Sequence, residues 1–225
     1  MGHLIVYDHD GVLVNPWSRN FEFLKDQCKR HKKKMAFTTQ QQYERTLSAE
    51  GITYLYTACG FERSDMQRIW NAWLQYHTSA PVHVFKDMHA LLNDPNTAHA
   101  IVSGNADTIL HYQLKQFNLD RDTVDGFNGH TPEQLPVYAG FSNGAFIRKE
   151  EAFDLLMESG DTMAYVTDAV KDCDCVRAYN KDKGTNIILV GVGWGLDDPM
   201  DMWGHGADYI AKDIHELTNA VNDLR

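Results

Sequence analysis

Hydrophobic and polar positions along the chain follow two rhythms. Leu4-Ile5-Val6-Tyr7 is an unbroken apolar run that stops at Asp8-His9-Asp10-Gly11. Such a run suits a central strand buried on both faces. From residue 16 to about 81 the rhythm turns helical. Phe21, Leu24 and Cys28 share one face, and Ile69, Trp70, Trp73, Leu74 and Tyr76 share another. The aromatic stripe reads as the packing seam of a small bundle, and Gly51 and Gly60 read as helix ends or turns. Near Pro81 strand–helix alternation returns. The pattern predicts an amphipathic helix over 84–92, a strand over 98–102 running into Ser103-Gly104-Asn105, and a helix through Ile109, Leu110, Leu114 and Phe117. Residues 126–147, rich in Gly, Asn, Pro and aromatics, show no clear period. A helix from Lys149, a strand over 163–166 ending in Thr167-Asp168, and a helix through Val170, Cys173 and Val176 follow. Strands over 186–190 and 207–210 and a helix from His215 to Leu224 complete the chain.

Repeated strand–helix units imply an α/β fold, with a parallel central sheet covered by helices on both faces. The long helical interruption reads as a small domain inserted after the first strand. The expected division is a core of residues 1–15 and 82–225 and a helical unit of residues 16–81.

Composition narrows the functional classes. The chain has 225 residues and a formal net charge of -10, which disfavours nucleic acid as an obligate partner. No apolar run approaches the roughly 20 residues of a membrane span, and the first residues lack a signal-peptide pattern. Four cysteines without framework spacing point to a reducing compartment, so a soluble cytoplasmic protein is expected. Against the acidic background one basic run stands out, Lys29-Arg30-His31-Lys32-Lys33-Lys34. It reads first as a solvated helix end, and second as a rim that attracts an anionic substrate.

The candidate chemistry sits where strands end. In open parallel sheets, ligands bind beyond the carboxyl ends of the strands. The first strand ends in Asp8 and Asp10, which strand alternation can place on one side. The second ends in Ser103, Gly104 and Asn105, and the third in Asp168, with Asp172 one helical turn on. Lys149 opens the helix before the third strand. Four carboxylates, a hydroxyl and a lysine would meet at one crevice. Hard oxygen ligands without histidine at ligand spacing suit Mg²⁺, and Mg²⁺ with a lysine can hold a phosphoryl group. His9 lies between the two aspartates, and alternation points it away from them.

Other motifs carry less. Gly191-x-Gly193-x-Gly195 follows a strand, but Leu196 stands where a dinucleotide fingerprint requires Gly. Ser103 lacks the first Gly of a nucleophile elbow, since Ile101 occupies it. Cys173 and Cys175 have no second cysteine pair and read as structural thiols.

Taken in order, these residues resemble the four motifs of the haloacid dehalogenase superfamily. Asp8-x-Asp10-Gly11-Val12-Leu13 resembles the first, Ile101-Val102-Ser103-Gly104-Asn105 the second, Lys149 the third and Val166-Thr167-Asp168-x-x-x-Asp172 the fourth. The helical insertion resembles the cap of the phosphoglycolate-phosphatase-like branch, and the likeness continues through Val192-Gly193-Trp194-Gly195. The resemblance implies a Rossmann-like three-layer core with a helical cap. It implies an Mg²⁺-dependent phosphomonoester hydrolase for a small phosphorylated metabolite of phosphoglycolate, sugar phosphate or nucleotide type. Asp8 would be the nucleophile and Asp10 the acid and base. Asp8, Asp168, Asp172 and the backbone carbonyl of Asp10 would hold the metal. Ser103, Gly104, Asn105 and Lys149 would hold the phosphoryl oxygens. A phosphomutase of the same fold and a catalytically silent binding protein are the alternatives. Two departures are visible. Thr167 replaces the usual Gly, and Lys149 precedes Glu150 rather than Pro, with Arg148 adjacent as a rival cation.

Overall fold

The computed structural model describes residues 3–79, 81–85, 87–92, 94, 97–116, 123–129, 134–142, 144–157 and 162–223. The chain opens with β1 (His3–Tyr7), a two-residue strand β2 (Val14–Asn15) and helices α1 (Trp17–Arg30), α2 (Gln40–Ala58) and α3 (Met66–His77). β3 (His83–Val84), α4 (Met88–Leu92), β4 (Ala98–Ala106), α5 (Asp107–Gln116), β5 (Thr123–Asp125), β6 (Leu135–Ser142) and β7 (Ala145–Phe146) follow. α6 (Lys149–Met157), β8 (Thr162–Thr167), α7 (Val170–Lys183), β9 (Ile188–Val192), α8 (Pro199–Gly204), β10 (Tyr209–Ala211) and α9 (Ile214–Asp223) complete it. Phe117 and Leu224, expected at helix ends, lie outside the described residues.

The main sheet runs β10-β9-β8-β1-β4-β6-β5, all parallel, with β7 antiparallel on β6. β1 is central: Tyr7 lies opposite Ile101 on one side and Val166 on the other. Its apolar run alternates between two cores. Ile5 and Tyr7 pack with Leu91 of α4, Leu110 of α5 and Leu217 of α9. Leu4 and Val6 pack with Phe153 of α6, Val176 of α7 and Met202 of α8. The result is the expected Rossmann-like three-layer arrangement, and it aligns the ends of β1, β4 and β8.

Helices α1–α3 enclose a third apolar cluster that includes Phe23, Leu24, Tyr43, Leu55 and Ile69. Gly51 interrupts α2 with φ 80° and ψ 173°, and Gly60 follows its end at φ 82°. The chain enters and leaves these helices through one antiparallel pair, Val14 opposite Val84 and Asn15 opposite His83.

Two expectations need correction. The helix expected over 84–92 is only the short α4, because Val84 is taken by the pairing with Val14. The region 126–147 contains β6, which is bonded to β4, β5 and β7. Pro136 and Gly140 depress its strand signal, yet it is among the strands nearest the site.

Candidate active site

The main-chain N–H of Asp8 still donates to the Val166 carbonyl at 2.9 Å, continuing the ladder one residue past β1. The strand then breaks. His9 O accepts from the N–H groups of Leu13 and Val14, and Gly11 turns at φ 79°. Asp8 therefore keeps the face of Val6, whereas Asp10 is re-aimed by the turn.

Asp8 meets Lys149. From the first turn of α6, Lys149 Nζ donates to Asp8 Oδ2 at 2.8 Å, Asp172 Oδ2 at 2.7 Å and the Tyr165 hydroxyl at 2.7 Å. All three ammonium hydrogens are thereby used. Asp172 Oδ2 also accepts from Thr167 Oγ1 at 2.9 Å. Thr167, the departure from the usual Gly, thus tethers Asp172. Arg148 is exposed and lies 3.6 Å from Glu151, so of the two adjacent cations only Lys149 enters the site.

Asp10 has a separate set of partners. Its Oδ1 lies 2.9 Å from His9 Nδ1, and its Oδ2 accepts from Asn105 Nδ2 at 3.2 Å. His9 is fully buried. The expectation that His9 points away from the aspartates is overturned for Asp10, because strand alternation ends at Asp8 and the turn follows. Ser103 is buried, and its Oγ accepts from the Asn105 N–H at 3.3 Å. Gly104 lies on the cavity wall beside them.

Asp168 is wedged between two glycines. A Cβ on Gly11 would fall 1.7 Å from Asp168 Oδ2, and one on Gly195 would fall 2.0 Å from Asp168 Cβ. The Leu196 N–H donates to Asp168 Oδ2 at 2.7 Å. Gly11 and the Gly195–Leu196 backbone therefore form the seat of this carboxylate.

Charge is crowded here. Burial pushes the Asp8 carboxyl up to about 6; Lys149 opposes the rise and Asp172 adds to it. Burial, then the charge of Asp8, raises Asp168 well above its ordinary value, with the Leu196 N–H offsetting part. For Asp172 burial acts upward, but Lys149 and the hydrogen bonds around it hold the carboxyl below its ordinary value. For Lys149 burial acts downward, but Asp172 and Asp8 carry it well above. Burial opposes ionisation of Asp10 too, yet the His9 contact and Asn105 hold it below the ordinary value.

Two neighbouring carboxyls whose proton affinity is raised by burial and, after it, by nearby negative charge make a natural seat for a hard cation. Among the described residues no three His, Cys, Asp or Glu side chains stand at metal-ligating spacing. Mg²⁺ does not require them. It is usually bound through one or two carboxylates, keeping waters and taking substrate phosphate oxygens. Asp8 and Asp168 fit that role. Asp172 Oδ2 is already engaged by Lys149 and Thr167, which leaves that residue mainly as the anchor of the lysine.

These residues form one wall of a cavity of about 770 Å³. Asp8, Asp10, Ser103, Asn105, Lys149 and Asp168 stand on the sheet side, with Asp172 and Lys171 beside them. The opposite wall comes from α1–α3. Trp70 and Trp73 face the cavity, so the stripe read as a packing seam is only partly one. Trp70 meets Phe141 of β6 edge-on at 5.3 Å between centroids. Trp73 stacks on buried His77 at 3.8 Å. Burial, reinforced by the charge of Arg19, lowers His77 to about 3 despite the pull of Asp10. No residue of the 29–34 basic run lines the cavity. Burial raises the Cys173 and Cys175 thiols to about 12 and about 11, which suits inert structural groups.

Tyr165, Thr167, Leu196 and Lys171 were not singled out as site residues by the sequence. Tyr165 and Thr167 share one face of β8 two residues apart, a signal that alternation does contain. The contribution of Leu196 is a backbone N–H, which no side-chain pattern reveals.

No protein-family model and no curated protein sequence matches the chain. Solved structures do. A predicted phosphatase from Clostridium acetobutylicum shares 15% identity, with a TM-score of 0.74 and 99% of each chain covered. A predicted phosphoglycolate phosphatase from Haemophilus somnus shares 14%, with a TM-score of 0.71 and 96% of each chain covered. A haloacid dehalogenase-like hydrolase from Streptococcus pneumoniae shares 13%, with a TM-score of 0.68, covering 96% of this chain and 97% of that one. At such identities the likeness speaks to architecture, and over nearly its whole length the chain has the haloacid dehalogenase-like fold.

Proposed function

We propose that the protein is a phosphomonoester hydrolase that works through an aspartyl-phosphate on Asp8, in a reducing, cytoplasmic setting that suits its free thiols. The observation that carries the reading is the separation of the two aspartates. Asp8 is held by a lysine that fixes its orientation, and Asp10 by a histidine and an asparagine. One carboxylate is thus oriented for attack and the other for proton transfer.

In the first step an Asp8 carboxylate oxygen bonds to phosphorus, and the bond to the leaving oxygen breaks. Asp10 gives that oxygen a proton. Asp10 rests ionised, and the dianionic phosphate beside it raises its proton affinity. In the second step Asp10, again a carboxylate, takes a proton from water. The water oxygen bonds to phosphorus, the bond to Asp8 breaks, and phosphate leaves. Lys149 holds the Asp8 carboxylate and balances charge through both steps, and Ser103 with the Gly104 backbone binds phosphoryl oxygens. Mg²⁺, held by Asp8, Asp168 and the backbone carbonyl of Asp10, would offset the negative charge of nucleophile and phosphate. Helices α1–α3 act as a cap that excludes water.

The test is release of phosphate from 4-nitrophenyl phosphate with and without Mg²⁺. Mg²⁺-dependent release that disappears in Asp8→Asn is the expected result. Release unaffected by Asp8→Asn would reject the proposal.

A further inference from the structure

The cavity wall contributed by α1–α3 carries no charge. Its apolar part includes Tyr43, Leu47, Ile52, Tyr56, Trp70 and Trp73. Its polar groups, Asn20, Thr53 and Gln67, are neutral. Among the described residues the lysines that line the cavity, Lys149 and Lys171, stand on the opposite wall with the carboxylates. Lys149 is fully engaged there. A substrate whose far end bears a carboxylate would find no cation across the cavity to meet it. A polyol would leave hydroxyls facing indole and phenol rings.

Resting on the phosphatase reading, we propose that the leaving group is an uncharged aromatic ring joined to the phosphate through a primary alcohol. The ring would lie among Trp70, Trp73 and Phe141 while the phosphate meets Asp8. Three features favour it. The volume, about 770 Å³, lies in the range of sites that enclose drug-sized ligands, and a two-carbon phosphate would leave most of it unfilled. Trp70 and Phe141 already make an edge-on aromatic contact across the cavity, and Phe146 packs at a tilt against Phe141, 5.0 Å between centroids. Finally, Phe146 and Ile52 line the same cavity yet are 83% and 47% exposed. Exposed apolar side chains gathered at a concave site mark a surface that an apolar ligand covers.

Two sources share this chemistry, a benzylic alcohol and a nucleoside. The experiment compares four phosphates of primary alcohols, so that leaving-group reactivity is similar: benzyl phosphate, adenosine 5′-monophosphate, glucose 6-phosphate and phosphoglycolate. Phosphate release by the wild type gives kcat/KM for each. Tryptophan-fluorescence titration of Asp8→Asn gives binding of each without turnover. Stacking on an aromatic side chain is worth about fivefold to about 150-fold in binding. The expected result is that at least one ring-bearing phosphate exceeds both ring-free ones by tenfold or more in kcat/KM and in affinity. The winner identifies the source. Trp70→Ala should shrink that ratio about tenfold, mainly through KM, and Trp70→Phe should restore most of it. Turnover with the ring-free phosphates equal or ahead would overturn the aromatic inference and leave the hydrolase reading standing. Absence of turnover on all four would count against the hydrolase reading, and the titration would then decide this inference. Tighter ring binding upholds it, and equal or absent binding overturns it.

Discussion

Replacing Lys149 with Met should be the most destabilising single change at the site. The substitution keeps length and removes an ammonium with three contacts of 2.7–2.8 Å. Lys149 and its partners are nearly buried, with side-chain exposures of 16% for Lys149, 11% for Asp8 and 7% for Asp172. Removing one member of a buried ion pair costs about 3–5 kcal/mol, because the other charge stays behind unpaired. Two charges stay behind here, and they sit close enough that Asp172 raises Asp8. The variant can escape only by protonating them. The folded-state pKa of both carboxyls then rises above the unfolded value of about 3.9, so the penalty grows as pH rises. At pH 8 Lys149→Met should lose about 3–5 kcal/mol. Between pH 8 and pH 5 the loss should shrink by about 1.4 kcal/mol per pH unit for each carboxyl that takes up a proton. Urea unfolding followed by circular dichroism in chelator, at pH 8 and pH 5, gives both numbers. Asp172→Asn in the Lys149→Met background removes one stranded charge. It should cost at least about 2 kcal/mol less there than in the wild type. A loss below about 1 kcal/mol at pH 8, or additive single effects, would refute the description of Lys149 as the clamp of a buried carboxylate pair.

The remaining expectations are smaller in scope. Gly195→Ala places a Cβ 2.0 Å from Asp168 Cβ, so it should weaken Mg²⁺ binding tenfold or more in calorimetric titration, as should Asp168→Ala; unchanged affinity in both would place the metal elsewhere. His77 is held neutral, its pKa lowered to about 3. The unfolded chain takes up this proton near pH 6.5. Unfolding therefore gains a proton in that window, and stability falls as pH falls, by about 2 kcal/mol between pH 6.5 and pH 5. The difference in urea stability between wild type and His77→Phe should narrow by that amount from pH 7 to pH 5. A constant difference would mean that His77 already carries its proton.

The layered sheet and the main site residues were legible because they rest on runs long enough to show a period. The strands ending at Asp8 and Asp168 are apolar and flanked by helices with their own spacing. The structure brings Asp8, Asp10, Ser103, Asn105, Lys149, Asp168 and Asp172 to one cavity, as the order of the strands implies. Three things were not legible. β6 was hidden because Gly140 is required where its position lies against the Gly104 backbone, at 2.7 Å from a Cβ placed there, and such a residue carries no strand signal. β2 and β3, two residues each, are too short for any periodicity. The partners of Asp10 were missed because the local turn at 9–14, a matter of backbone geometry, sets the direction of His9. Trp70 shows the limit of helical spacing. The same stripe can pack against a neighbour on one side and line a cavity on the other.

The central claim is that Asp8 carries the phosphoryl group and Asp10 moves the protons. Asp10→Asn separates the two steps with 4-nitrophenyl phosphate. Nitrophenolate needs little protonation to leave, so Asp8 should still be phosphorylated. Activation of water then lacks its base, and such help is worth about 10²–10⁴-fold. Rapid-quench kinetics should show a burst of nitrophenolate followed by steady turnover at least about a hundredfold below the wild type. Mass spectrometry of the quenched enzyme should find one added phosphoryl group on the peptide containing Asp8. A phosphoryl mass on the peptide containing Ser103, or near-normal turnover with none on Asp8, would contradict the account.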